Sequence, residues 1–312
     1  MSRTIGIEIE VNGNYGNLAE VAINAVGGVN SGTYHRGIVG NEWTVKTDGT
    51  VNGPEIVSPP REFDSPQWRQ ELAALLPALA ANGADPAGVG IHVHVDASGL
   101  TARQIAATLR FAYKFEDALY RLASDGGKMR EAANTYATPI HESIAEHAYR
   151  IRTMDDLREM YDDTGGYRYR MVNLASFYVH GTIEFRIFNS SLNVESVQAF
   201  VAIAHAIVAD AAAGHRRSIG RQYKLGEMAA QTGSAAAQLL RLQQIWTCYD
   251  RDTSAPMSHA DWRRVRALWD RSTPQTAPLG WDGAAVPGGD YDDEEFDNDC
   301  RDEDCPCHRE DY

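Results

Sequence analysis

Cysteine is scarce in this 312-residue chain: there are four, Cys248, Cys300, Cys305 and Cys307, and three of them lie in the last stretch of sequence. A disulfide framework would spread its cysteines through the fold, so a reducing compartment is expected. Cys305-Pro306-Cys307-His308 with Cys300 could offer ligands to a soft metal, but the spacing is not that of a zinc knuckle, and an unstructured segment is the plainer reading. No apolar run is expected to reach the ~18 residues of a membrane span, and Met1-Ser2-Arg3 leads into strand-like sequence without the apolar core of a signal peptide. These absences set the expectation of a cytoplasmic location and no membrane partner. The GxxxxGK[ST] phosphate loop is missing as well, which disfavours a P-loop ATPase, and there is no fixed-period repeat.

A basic excess is also lacking. The formal charge is −14, but it is unevenly placed. Residues 290–312 hold 12 acidic side chains against 2 arginines, a net of −10, which leaves −4 for residues 1–289. A nearly balanced body with an acidic tail predicts no nucleic-acid partner and a solvated tail. With 43% hydrophobic and 23% charged residues, the remainder has an ordinary globular composition and length enough for a substantial core. Three regions are expected: a catalytic domain over 1–213, a helical extension over 214–280 and a disordered acidic Cys-containing tail over 281–312.

The stretch Ile5-Gly6-Ile7-Glu8-Ile9-Glu10-Val11 introduces a pattern that recurs. Side chains alternate along a strand, so Ile5, Ile7, Ile9 and Val11 share one face and Glu8 and Glu10 the other. Two carboxylates about 6 to 7 Å apart on one strand repel by of order 2 to 3 kcal/mol at an effective dielectric of about 20. They are explained either by a solvated edge strand or by cations beside them. Residues 89–96 repeat the alternation, with Ile91, Val93 and Val95 opposed to His92, His94 and Asp96; residues 182–189 do so again, with Ile183, Phe185 and Ile187 opposed to Glu184 and Arg186. Short strands are expected over 42–46 and 51–58, the second carrying Glu55, joined by the turn Thr47-Asp48-Gly49-Thr50.

Between these strands lie helical patterns: residues 17–26; a helix opened by Ser65-Pro66 with a Trp68, Leu72, Leu75, Leu76, Leu79 stripe; and a long helix from the capping box Thr101/Gln104 to about 123. Asn193 caps a helix to about 213, and helices are expected over 234–247 and, capped by Ser258, 259–270. His205, flanked by apolar helix positions, is read as a core residue. His180-Gly181 is a plausible hairpin turn.

If the three alternating strands share a sheet whose apolar face the helices cover, the other face collects Glu8, Glu10, His92, His94, Glu184 and Arg186, with Glu55 beside them. Carboxylates with imidazole and no nearby thiolate suit Mg²⁺ or Mn²⁺ and a phosphate ligand. Each piece has a plainer explanation: a strand His is usually just hydrogen-bonded, and Glu184 with Arg186 could be an ordinary ion pair worth up to roughly 1 kcal/mol. Three strands giving the same unusual alternation favour a shared site.

The ordered segments Gly6-Ile7-Glu8-Ile9-Glu10, Lys46-Thr47-Asp48-Gly49-Thr50, Glu55-Ile56-Val57-Ser58-Pro59, Gly90-Ile91-His92-Val93-His94-Val95, Arg170-Met171-Val172-Asn173-Leu174 and Thr182-Ile183-Glu184-Phe185-Arg186-Ile187-Phe188 together resemble the amidoligase family, relatives of glutamine synthetase and γ-glutamylcysteine synthetase. The resemblance runs from about residue 4 to 210. It implies an α+β fold with a curved, mainly antiparallel sheet flanked by helices, like the glutamine synthetase catalytic domain. It also implies an ATP-dependent carboxylate-amine ligase that works through an acyl phosphate. By position, Glu8, His92 and Glu184 would hold one Mg²⁺, and Glu10 and Glu55 another, with Asp48 as an imperfectly spaced acidic addition. His94 and Arg186 would meet phosphate oxygens, and Arg170 and Asn173 would bind substrate or nucleotide. The partners implied are a small-molecule or peptide carboxylate and an amine acceptor. A metal-dependent hydrolase on the same sheet is the alternative, and a non-catalytic protein acting through its acidic tail a third reading.

Overall fold

The computed structural model describes residues 3–32, 41–126, 136–140, 147–163, 168–214, 234–247 and 255–272. The Cys-containing tail expected over 281–312 lies outside them, as does Cys248. The described chain is mixed α and β, with one eight-stranded, mostly antiparallel sheet flanked by helices.

The strands are β1 (Thr4–Glu10), β2 (Val29–Asn30), β3 (Thr44–Thr47), β4 (Pro54–Val57), β5 (Arg61–Glu62), β6 (Gly90–Asp96), β7 (Val172–Asn173) and β8 (Thr182–Asn189). They lie in the order β2-β3-β4-β1-β6-β8-β7, with β5 pairing β1 off that path, and only β2-β3 is parallel. β1 is therefore a central strand, hydrogen-bonded to β4 and β6, which removes the solvated-edge explanation of its two glutamates. Ile5, Ile7 and Ile9 of β1 and Ile91, Val93 and Val95 of β6 are fully buried on the apolar face.

The helices are α1 (Tyr15–Val26), α2 (Gln67–Ala81), α3 (Ala102–Lys114), α4 (Glu116–Ala123), α5 (Met154–Asp163), α6 (Ala175–His180), α7 (Val194–Ala212), α8 (Ser234–Thr247) and α9 (His259–Arg271). α7 lies against β6, β8 and β1 and buries nearly its whole circumference. It is long and apolar enough by composition to cross a membrane, contrary to the expectation that no such run exists. Its surroundings explain its composition: it is a core helix contacted by α2, α3 and α9 as well as the sheet.

Several boundaries differ from expectation. The Thr101/Gln104 capping box forms as read, but the long helix after it breaks at Phe115 into α3 and α4. No proline or glycine marks the break. It lets α3 pack on α7 while α4 turns to β8, α8 and α9. Pro66 precedes α2 as its cap rather than opening it. His180-Gly181 is not a hairpin turn: α6 fills the segment, and Gly181, at φ 71°, closes it in the left-handed conformation that glycine adopts without a Cβ clash.

α8 and α9 belong to the same core as the sheet. Leu242, Trp246, Val265 and Leu268 are buried in it, Asp261 of α9 takes a two-pronged ion pair from Arg69 of α2 at 2.9 and 3.0 Å, and Ser258 caps α9 as expected, accepting from Asp261 N.

Candidate metal and phosphate site

The polar face of the sheet is built by register. β1 sets Glu8 beside His92 of β6 and Glu10 beside Glu55 of β4; β6 sets His94 beside Glu184 of β8, and β7 sets Asn173 on the far side of Glu184. Residues from five strands thus stand in one row. The β6–β8 ladder shifts register between Ile91 and Val93, so that Arg186 and Ile187 together oppose His92, and such a bulge re-aims a side chain. Arg186, pointed inward, donates through one guanidinium nitrogen to Glu184 and through Nε to the Tyr136 carbonyl at 3.1 Å.

This face is buried although polar. His92 is 2% exposed, Glu55 4%, Glu184 5%, Glu10 6% and Arg186 7%. Groups so enclosed must satisfy one another. His92 Nδ1 is 3.1 Å from Glu8 Oε2 and 3.6 Å from Glu184 Oε1; His92 Nε2 is 3.6 Å from Glu10 Oε1; His94 Nε2 is 3.4 Å from Glu8 Oε1. Glu10 Oε2 accepts from Gly90 N at 2.7 Å, and Asn173 Nδ2 donates to Glu184 Oε2 at 2.6 Å.

Two atoms are left over. His92 Nε2 and His94 Nε2 are buried and make no directed hydrogen bond, yet both face carboxylates. Unprotonated, each of these atoms would offer a lone pair to a cation among those carboxylates. Ligand atoms within 4.8 Å of one another form two sets that share Glu8: Glu8, His94 and Glu184, and Glu8, Glu55 and His92. Oxygen donors with one imidazole in each set fit Mg²⁺ or Mn²⁺.

The electrostatics agree with an unfinished balance. Four carboxylates, Glu8, Glu10, Glu55 and Glu184, meet two fixed cations, Arg186 and Lys46, whose Nζ is 3.2 Å from Glu55. Burial opposes the charge on Glu8, but contacts with His92 and His94 hold its carboxyl well below the usual range. Burial likewise opposes ionisation of Glu184, which His94, Arg186 and His92 overcome. His94 is raised, because Glu8 and Glu184 outweigh its burial. Burial and the neighbouring Glu8 charge push Glu55 up to about 9, despite Lys46. The Glu8–Glu55 end therefore favours a proton on Glu55 or a further cation beside it.

The expected residues are not all in this cluster. Asp48 lies in the β3–β4 turn, where its Oδ1 accepts from Thr50 N and Oγ1 at 2.7 and 2.6 Å. Arg170 sits at the sheet edge, bridged to Thr138, with its guanidinium 3.4 Å from the Pro139 carbonyl. Asn173 is engaged at both amide ends, to Glu184 and to Ala175 N, which makes it a brace for Glu184. His94, expected at phosphate, stands in the ligand set with Glu8 and Glu184. Lys46 belongs to the segment Lys46-Thr47-Asp48-Gly49-Thr50, whose sequence alone gives it no role. Its place became visible only through the β3–β4 register that sets it beside Glu55.

None of the curated proteins matches the chain. The family model described as "Putative amidoligase enzyme" matches residues 1–208, two thirds of the sequence and every strand that contributes to the polar face. The chain belongs to that amidoligase family.

Proposed function

We propose that this amidoligase is an ATP-dependent carboxylate-amine ligase. In this reading the sheet is the counterpart of the glutamine synthetase catalytic sheet, and the activated group is a glutamyl-type carboxylate. The observation that carries it is the largely buried row of four carboxylates and two histidines, with neither histidine Nε2 atom in a hydrogen bond, in a chain of this family.

A carboxylate does not condense with an amine at neutral pH. Transfer of the γ-phosphoryl group of ATP to the carboxylate makes an acyl phosphate, and the amine then displaces phosphate, forming the C–N bond and releasing ADP and inorganic phosphate. Phosphoryl transfer of this kind depends on positioning and on neutralising oxygen charge. Bound Mg²⁺ or Mn²⁺ would supply that neutralisation and orient the phosphate oxygens. Glu8, His94 and Glu184 would hold one ion, and Glu8, Glu55 and His92 a second, with Glu10 held against Gly90 N as a neighbouring acid. Arg186 orients Glu184 and contributes a fixed positive charge to the same face. Lys46, partly exposed beside Glu55, supplies a second.

The test is incubation of the purified chain with MgATP, glutamate or a glutamyl peptide, and a panel of amines. Amine-dependent ADP release with an amide product of the mass of both substrates less water is expected. Metal-dependent hydrolysis of an amide or ester that needs no nucleotide would replace the ligase by a hydrolase on the same sheet.

A further inference from the structure

We propose that Ser176 and Thr182 are positioning residues for His94, and that together they decide which of its ring nitrogens faces the carboxylates. The inference rests on the metal-site reading above and extends it to two hydroxyls to which that reading gives no role.

His94 lies on β6 between Gly6 of β1 and Glu184 of β8. Gly6 offers no side chain to hold the ring from the β1 side. On the other side, Thr182 opens β8 and Ser176 lies in α6, and the left-handed Gly181 between them folds the chain back so that their hydroxyls meet at 2.7 Å. Both hydroxyls converge on one atom. Thr182 Oγ1 is 3.0 Å from His94 Nδ1, and Ser176 Oγ is 3.1 Å from it. Ser176 is 5% exposed, so its hydroxyl is held in the protein interior beside that nitrogen.

A hydroxyl can both donate and accept, so this pair holds Nδ1 whichever form the ring takes, and what it fixes is the orientation of the imidazole. With Nδ1 held there, Nε2 is the atom that faces Glu8 at 3.4 Å and lacks a directed hydrogen bond. Partners on the far nitrogen set ring orientation and ligand basicity in metal-binding histidines, and their loss typically weakens metal binding about 10- to 100-fold. Because two hydroxyls serve one nitrogen, each covers for the other.

The experiment titrates the full chain with Mn²⁺, following the free ion by electron paramagnetic resonance, and follows the His94 Nδ1 resonance by ¹⁵N NMR in the metal-free protein. The single variants Ser176→Ala and Thr182→Val are expected to bind within a few-fold of the parent, and the double variant about 10- to 100-fold more weakly. Thr182→Ser, which keeps the hydroxyl, is expected to bind like the parent, also in the Ser176→Ala background. The His94 Nδ1 resonance is expected to move in the double variant. Parent-like Mn²⁺ affinity in the double variant, with His94→Ala having lost binding, overturns the inference and leaves the metal site standing. Parent-like affinity in His94→Ala overturns the site itself. Should the double variant not fold, the two single variants decide: a His94 Nδ1 resonance unmoved in both overturns the proposal.

Discussion

Glu184 shows at the residue scale how the site is held. One oxygen takes the Arg186 guanidinium, the other takes Asn173 Nδ2, and His92 and His94 approach from β6. Glu184→Gln keeps the shape and removes the charge, as does Glu8→Gln in the shared centre of both ligand sets. Each is expected to lower Mg²⁺-dependent turnover by at least about 100-fold, the upper end of what losing only a ligand's support costs, while the circular-dichroism spectrum stays native. Parent-like turnover in either variant would remove that residue from the metal site. His205 makes the contrasting case. Its ring stacks on Phe63 at 3.6 Å, and both nitrogens are buried without hydrogen-bond partners, so burial depresses its pKa from 6.5 to about 4. A neutral imidazole is compatible with this core and a charged one is not. The resulting stability is complete above pH 6.5 and is lost as pH falls through about 4, by up to roughly 3 kcal/mol. His205→Phe, which keeps a ring on Phe63, is expected to shrink this acid-side loss in denaturant titrations across that window. An unchanged pH profile would mean that the acid limb comes from other groups. The apolar neighbours of His205 in sequence already assigned it to the core, whereas nothing local distinguished His92 and His94 from it except the period of two.

Among the elements, the short helix α4 carries a buried acid on a structural errand. Glu116 follows the break at Phe115 and accepts from Ile140 N at 3.0 Å, tying the helix to the segment before α5. Burial raises its pKa from 4.5 to about 8. The sign is opposite to that of His205. The contribution of Glu116 is undiminished below about 4.5 and falls as pH rises toward 8, where the unfolded chain has shed a proton that the folded chain still holds; the loss from this group is of order 2 to 5 kcal/mol. Glu116→Gln keeps an acceptor for Ile140 and is expected to raise the melting temperature at pH 9 relative to the parent while changing little at pH 4.5. Equal stabilisation at both pH values would point to packing rather than charge. The break that creates α4 was not legible, because periodicity over 102–123 continues smoothly through it. The choice between one helix and two was made by what each half packs against.

For the whole molecule, the family match ends at residue 208, but the packed structure does not. α8 and α9 place Leu242, Trp246, Trp262, Val265, Leu268 and Trp269 in the common core. Arg121 donates to Ser272 at 2.8 Å, and Arg271 to Asp125 at 2.9 Å. At about 1.5 to 3 kcal/mol per buried large apolar side chain, six of them are worth of order 10 kcal/mol, comparable to the whole stability of a typical domain at about 5 to 15 kcal/mol. A chain cut after residue 214 is therefore expected to lose cooperative unfolding in a thermal melt, and one cut after residue 289 to keep parent-like melting and Mn²⁺ binding. A 1–214 fragment that melted like the parent would show that α8 and α9 are dispensable, and loss of Mn²⁺ binding in the 1–289 chain would place the acidic tail in the site.

The amino-acid order by itself determined the alternation of Ile and Glu in β1, of Val and His in β6 and of Ile, Glu and Arg in β8, because a strand's period of two is written in consecutive residues. It determined the caps at Thr101, Asn193 and Ser258 for the same reason: each bonds a backbone N–H within three residues. Only the tertiary structure decided that β1 is central, that Lys46 stands beside Glu55, that the bulge in β8 turns Arg186 inward, and that Ser176 and Thr182 close on His94. Those are matters of register between strands far apart in the chain, where pairing is selected by the burial of whole faces. In β1, that selection turned Glu8 and Glu10 from two repelling charges on one strand into members of one row that histidines, Arg186 and Lys46 border.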